Sequence, residues 1–232
     1  MRSSLKKILI LGGSSDIGIN LVNSLDEKKY KIYLHYRKNK PKLKKKIFFL
    51  KRDFSKLSVK NSNKLLKNLK NFDIIVNLVG YIDNKTFLTT DYKNIIKSLN
   101  ANFISQLLIY QNSIDYMKKN KFGRIINCSS IGIKFGGGFN TFNYSLSKYC
   151  SEFIPNEIRN LPKFNIFYNN LRLGVVNTKI HKKIKNKNLK ERITKIPIKR
   201  FANIDEIITL IKYFIITNTY IASETINFTG GE

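Results

Sequence analysis

A chain of 232 residues is long enough to bury one sizeable core, and we read residues 1–232 as a single α/β domain. Its formal charge of +28 would ordinarily point to nucleic acid or an anionic membrane, but the excess is 35 lysines against 8 arginines, which compositional bias explains equally well, so nucleic acid is disfavoured as a partner. Two cysteines, Cys128 and Cys150, in no metal-binding spacing exclude a disulfide framework and a bound metal, and without an apolar run long enough for a membrane span they imply a reducing, cytoplasmic setting.

In chain order, the first strand is predicted at residues 6–12 (KKILILG), followed by a glycine-rich turn and a helix near 17–26. Strands follow at 31–36 (KIYLHY) and 46–51 (KIFFLK), then a helix at 61–70 and a strand at 73–79 (DIIVNLV). A long helix at 91–118 leads to a strand at 124–129 (RIINCS), and a helix at 144–160, interrupted by Pro155, leads to a strand at 165–171 (NIFYNNL). A helix at 203–217 and a last strand at 225–228 (TINF) complete the chain. Short Val/Ile/Leu/Phe runs alternating with longer helical patterns indicate βαβ units whose strands are buried on both faces. The predicted fold is a doubly wound parallel sheet of about seven strands with helices on both faces, and such sheets bind ligands beyond the carboxyl ends of their strands. Proline inside the 144–160 helix removes a backbone hydrogen bond, so a kink is expected there.

The turn LGGSSDIG, residues 11–18, places glycines where the chain must bend tightly and the free N–H groups of a helix start where they attract a pyrophosphate. Its spacing is not Gly-x-Gly-x-x-Gly. It resembles the Thr-Gly-x-x-x-Gly-x-Gly turn of the short-chain dehydrogenase/reductase family, a Rossmann-type fold. Gly12 and Gly18 match the outer glycines, Leu11 stands for the Thr, and Asp16 replaces the middle Gly. The resemblance implies that Gly12, Ser14, Ser15, Asp16, Ile17 and Gly18 surround the cofactor pyrophosphate, with Asp16 either presenting a carboxylate there or capping the helix.

After the second strand, an acid would accept hydrogen bonds from the ribose of NAD. Here Tyr36 stands in the acid's place, and Arg37 with Lys38 can pair with a 2′-phosphate, so NADP(H) is expected over NAD(H). By the same resemblance, Asp53 would meet the adenine amino group with the Phe54 backbone alongside. DIIVNLVG is similar to the family's Asn-Asn-Ala-Gly signature, with Asn77 and Gly80 retained and Leu78 and Val79 changed.

Tyr144 and Lys148, in YSLSK, form a pair that the 12 tyrosines and 35 lysines would produce about twice by chance. Two other copies occur, Tyr36/Lys40 and Tyr81/Lys85. Only the third follows a buried strand, a Ser pair and a glycine-rich loop, and starts a helix. A lysine one helical turn from a tyrosine lies on its face and favours the phenolate, which is expected to lower the phenol pKa by about 1 to 3 units. By resemblance to the family, Tyr144 is the proton donor, Lys148 tunes it and holds the nicotinamide ribose, and Ser130 binds the carbonyl. The family's fourth member, an Asn in the preceding long helix, is Asn100 or Asn102, and we assign it to Asn102.

NNLRLGVVNT, residues 169–178, is similar to the family's Pro-Gly-x-x-x-Thr segment, with Leu173 for Pro, Val176 beside the carboxamide and Thr178 retained. The resemblance runs from residue 6 to 231, and its pattern is nearest to 3-oxoacyl-[acyl-carrier-protein] reductase-like members. Residues 178–200 correspond to the family's substrate lid, and positions 179 to 200 carry ten basic residues against one Glu. Such a lid favours an anionic substrate, on an acidic carrier protein, CoA or a nucleotide. The expected function is NADP(H)-dependent hydride transfer between nicotinamide and a carbonyl or secondary alcohol, with 3-oxoacyl thioester reduction as the leading substrate. A nucleotide-linked sugar in surface polysaccharide synthesis is the alternative within the family; a non-catalytic nucleotide- or nucleic-acid-binding protein is the alternative outside it. A homodimer or homotetramer is expected, with Pro155 set against the family's usual helix interface.

Overall fold

Successive side chains of a strand face opposite sides of a sheet, and β1 (Lys6–Leu11) shows what that requires when both sides are covered. Ile8 and Ile10 enter one apolar cluster, Leu9 and Leu11 the other, and all four are fully buried. The computed structural model describes residues 5–138, 140–184 and 188–232. Around β1 lie β2 (Tyr30–Tyr36), β3 (Ile47–Lys51), β4 (Ile74–Asn77), β5 (Gly123–Ser130), β6 (Ile166–Leu173) and β7 (Glu224–Phe228). Every pairing is parallel, in the order β3-β2-β1-β4-β5-β6-β7. The doubly wound sheet expected from the sequence is thus present. The order reverses between β1 and β4, and the crevice at such a reversal is where ligands bind.

The first helix, α1 (Asp16–Ser24), packs with α8 (Ile204–Lys212) on one face, through Leu21, Val22, Ile207 and Ile211. Between them in sequence come α2 (Ser62–Leu66), α3 (Tyr92–Leu99), α4 (Ser105–Lys119), α5 (Phe142–Ser151), α6 (Asn156–Arg159) and α7 (Leu189–Thr194). Ile109, Tyr110 and Met117 of α4 cover the other face. The long helix expected at 91–118 is interrupted by one wider π-helical turn, Asn100–Ile104. The helix expected at 144–160 is a correction. Proline does not kink it; α5 stops at Ser151 and Pro155 stands at the N-cap of the separate α6. Pro155 lacks an N–H, which a helix interior needs and an N-cap does not.

The buried face of α5 is polar: Asn143, Ser145, Ser147, Lys148 and Ser151. Hydrogen bonds hold this helix in place, and their anchor lies in the sheet. Asn77, Asn127 and Asn170 occupy paired positions on β4, β5 and β6. Asn77 Nδ2 donates to Asn127 Oδ1 at 2.8 Å, and Asn127 Nδ2 donates to both Asn170 Oδ1 and the Ser151 carbonyl at 2.8 Å. Asn170 Nδ2 continues to the Glu152 carbonyl at 3.0 Å and to Thr225 Oγ1 at 3.1 Å. Replacing Asn127 by Ala strips partners from the Asn77 amide and the Ser151 carbonyl. With each orphaned buried group costing about 1–3 kcal/mol, Asn127→Ala should lose about 2–6 kcal/mol in urea unfolding.

Candidate active site

The glycine-rich turn is shaped by exclusion. Gly12 has φ +70°, and a Cβ there would come within 2.7 Å of the Leu78 carbonyl; a Cβ on Gly18 would lie 2.6 Å from Gly13 Cα. Ser15 caps α1, its Oγ accepting the Gly18 N–H at 3.1 Å. Asp16 therefore does not cap. Its Oδ2 accepts the Lys179 backbone N–H at 2.7 Å, and the Lys179 ammonium stands 3.8 Å from Oδ1. Beneath the turn, His35 Nδ1 accepts the Gly12 N–H at 3.0 Å, which leaves the ring proton on Nε2 to donate to the Arg52 carbonyl at 3.1 Å. Burial lowers the His35 pKa to about 4, so the ring is neutral, and it stacks on Phe54 with centroids 4.3 Å apart.

At the end of β5, Ser130 caps the 3-10 turn Ile131–Phe135 by accepting the Gly132 N–H at 3.2 Å. Tyr144 and Lys148 lie one turn apart on α5. The Lys148 ammonium is buried and donates to the Cys128 carbonyl at 2.6 Å. Burial lowers its pKa to about 8, with Cys128 and Glu152 opposing. Burial also raises the Tyr144 phenol, with the neighbouring Ser130 hydroxyl opposing. This direction is opposite to that expected from the Tyr/Lys spacing. The ammonium is turned to a carbonyl, and loss of water outweighs the charge.

The π turn separates the two candidate asparagines. Asn100 Nδ2 donates away from the centre, to the Leu57 carbonyl at 2.8 Å. Asn102 is fully buried; its Oδ1 accepts the Tyr81 N–H at 2.7 Å, and its Nδ2 donates at 2.9 Å to both the Tyr81 carbonyl and Ser147 Oγ. π turns inside α-helices recur at functional sites.

One cleft of about 1240 Å³ runs across the carboxyl edge of the sheet. It brings together Gly12, Ser14, Ser15, Asp16, Ile17, Arg37, Asp53 and Phe54 with Gly80, Ser130, Tyr144, Lys148, Val176 and Thr178, and Gly80 lies against Tyr144. Three expected residues do not line it. Asn77 belongs to the amide chain within the sheet, Gly18 packs under Gly13, and Asn102 stands behind Tyr81 and Ser147. A direct cofactor contact by the Asn77 side chain is therefore corrected to support of the strand ends. Asp53 Oδ1 is engaged by the Ser55 N–H and hydroxyl at 3.2 and 2.6 Å. Of the segment expected as a lid, residues 185–187 lie outside the described residues. The rest forms a single turn, Lys179–Lys183, and α7, which is tied by an Arg192–Glu232 ion pair. Among the described residues, no cluster of His, Cys, Asp and Glu could hold a metal, and no helix is long and apolar enough to cross a membrane.

A family profile described as short chain dehydrogenase matches residues 6–189. The chain belongs to the short-chain dehydrogenase/reductase family. It is an NAD(P)-dependent oxidoreductase. It is 31% identical over 186 residues to 3-oxoacyl-[acyl-carrier-protein] reductase of Buchnera aphidicola subsp. Baizongia pistaciae, covering 76% of this chain and 75% of that protein. It is 28% identical over 162 residues to acetoacetyl-CoA reductase of an Acinetobacter species, covering 68% and 64%. Among solved structures, a 3-oxoacyl reductase of Agrobacterium tumefaciens with NADP bound superposes with TM-score 0.81 at 19% identity, over 98% of this chain and 94% of that one.

Several residues that shape this oxidoreductase's cleft escaped sequence reasoning. His35 is the clearest: one polar residue inside the apolar strand KIYLHY, directly before the expected cofactor loop, is a signal that could have found it. Because its folded pKa is about 4 and the free value is 6.5, the unfolded chain binds the proton first as pH falls. The associated stability is complete above pH 6.5 and is lost progressively down to about pH 4. The difference amounts to about 3 kcal/mol. Urea unfolding should show the wild type losing about that much more than His35→Gln between pH 7 and pH 4.

Proposed function

We propose that this protein is an NADP(H)-dependent reductase of carbonyl groups, with 3-oxoacyl thioesters as its substrate class. The observation that carries the proposal is the convergence of Ser130, Tyr144 and Lys148 on the wall of one cleft, with the Lys148 ammonium buried and held by the Cys128 carbonyl. The cleft suits a dinucleotide: side chains are excluded at Gly12 and Gly18, and α1 begins at the turn, a helix start being a favourable place for an anion. Gly12, Ser14, Ser15 and Ile17 would hold the pyrophosphate, Asp53 and Phe54 the adenine, Arg37 the 2′-phosphate, and Val176 and Thr178 the carboxamide end. The nicotinamide supplies the hydride.

The remaining work falls to side chains of this chain. Ser130 would hydrogen-bond the substrate oxygen and orient the carbonyl carbon. The raised pKa of Tyr144 keeps its proton in place near neutral pH, so the phenol serves as a proton donor to that oxygen. Lys148 stays cationic below about pH 8, and its charge stabilises the phenolate once the proton has left. Asn102 would complete the set by fixing the loop at Tyr81 and the Ser147 hydroxyl beside Tyr144.

The names of the relatives, reductases of carrier-linked and CoA-linked 3-oxoacyl groups, support the substrate class. So does the lysine-rich segment between Thr178 and Arg200, which suits an anionic carrier. In an assay of NADPH oxidation by acetoacetyl-CoA, we expect turnover in the wild type and a loss of about 10²- to 10⁴-fold in Tyr144→Phe. Higher salt should raise KM for acetoacetyl-CoA and leave a neutral diketone unaffected. Turnover retained by Tyr144→Phe would remove the proposed proton donor.

A homo-oligomer is part of the proposal. Tyr149 on α5 and Phe153 just beyond it are 69% and 71% exposed, and exposed rings so placed suit a partner copy. Light scattering should give a dimer or tetramer that Tyr149→Asp with Phe153→Asp dissociates; a monomeric wild type would refute it.

A further inference from the structure

Two of the three Tyr-x-x-x-Lys copies have no part in the proposed chemistry, yet one of them, Tyr81/Lys85, places its tyrosine at the adenosine end of the cleft. Two arginines also line that end, Arg37 and Arg52. Arg52 is committed: its guanidinium donates to the carbonyls of Leu65, Lys51 and Lys67 at 3.0, 2.8 and 3.3 Å. Arg37 makes no ion pair and no hydrogen bond among the described residues. Its guanidinium carbon lies 5.2 Å from the centroid of the Tyr81 ring.

The contact spans the crevice. Arg37 follows β2 and Tyr81 follows β4, and these strands flank β1, whose end carries the glycine-rich turn. Tyr81 is held firmly from beneath, since the Asn102 amide takes its N–H and reaches its carbonyl. An arginine stacked on a ring uses the face of its guanidinium and keeps its N–H donors, which lie in the plane, for another group. A long exposed side chain otherwise loses substantial rotamer freedom when it is fixed by a ligand. Fixing it beforehand lowers that cost.

We infer that Tyr81 is a specificity-determining residue for the phosphorylated cofactor, its ring holding the Arg37 guanidinium in place to receive the 2′-phosphate. The inference rests on the proposed role of Arg37. It assigns to Tyr81 a contribution confined to the adenosine end, separate from the proton-donating tyrosine.

Calorimetric titration of the full chain with NADPH and with NADH tests both levels. Tyr81→Leu should weaken NADPH binding by about three- to tenfold, the range expected of one cation–π contact, and leave the Kd for NADH unchanged. The unchanged NADH value also reports that the variant is folded. Tyr81→Phe, which keeps the ring, should bind NADPH as the wild type does. In an Arg37→Ala background, Tyr81→Leu should have no further effect. If Arg37→Ala itself left the NADPH to NADH ratio unchanged, the role of Arg37 would fail and the inference with it. A lowered ratio in Arg37→Ala alongside an unchanged ratio in Tyr81→Leu, or equal losses for the two cofactors, would overturn the inference alone.

Discussion

The chain of amides through Asn77, Asn127 and Asn170 is the constraint on which the rest of the site depends. Parallel strands buried on both faces are normally held by apolar packing, which is tolerant of small shifts. A buried amide is less forgiving, because each of its donors and acceptors must meet a partner or bear the cost of desolvation. Three amides at paired positions therefore fix the relative register of β4, β5 and β6. The same chain reaches the carbonyls of Ser151 and Glu152 and so fastens the end of α5. Lys148 fastens its middle to Cys128. A helix with a polar buried face is thus located by directed bonds, and Tyr144 inherits that placement.

Burial acts on the two ionisable groups of α5 in opposite directions, raising the phenol and lowering the ammonium. Both shifts follow from one cause, the cost of holding charge away from water. A phenol that keeps its proton and a lysine that stays charged to about pH 8 are the states that donation to a carbonyl requires. In the proposed reaction the lysine's charge would count most after the proton has left, when a phenolate in a poorly solvated cleft needs a nearby cation.

Seven strands were legible in the sequence because parallel strands read as uninterrupted apolar runs, and the meeting of Tyr144, Lys148 and Ser130 at one cleft was legible because their setting at a strand end, loop and helix start is local. What escaped was non-local. His35 acts on Gly12, and Asn170 acts on Asn127 43 positions away; nothing in the neighbouring residues announces such pairings. Helix length failed for a related reason. The apolar period continues past Glu152, whereas the break is imposed by Pro155 and by the Glu152–Arg172 ion pair with β6. The choice of Asn102 over Asn100 rested on pattern alone, and only the π turn shows the two side chains diverging.

The departure at Asp16 gains its meaning from the same non-local view. A carboxylate in the first turn of α1 suits the positive end of the helix, yet it stands where a pyrophosphate is proposed to bind. Left alone, it would oppose that anion. It is not left alone: Lys179, 163 positions further on, supplies a backbone N–H at 2.7 Å and an ammonium at 3.8 Å. The far side of the same segment is held by Arg192 on Glu232. An acid in the turn and a lysine just after Thr178 are therefore two halves of one contact. The acid forfeits part of the anion site's charge and, in exchange, fixes the chain that follows Thr178 over the cleft.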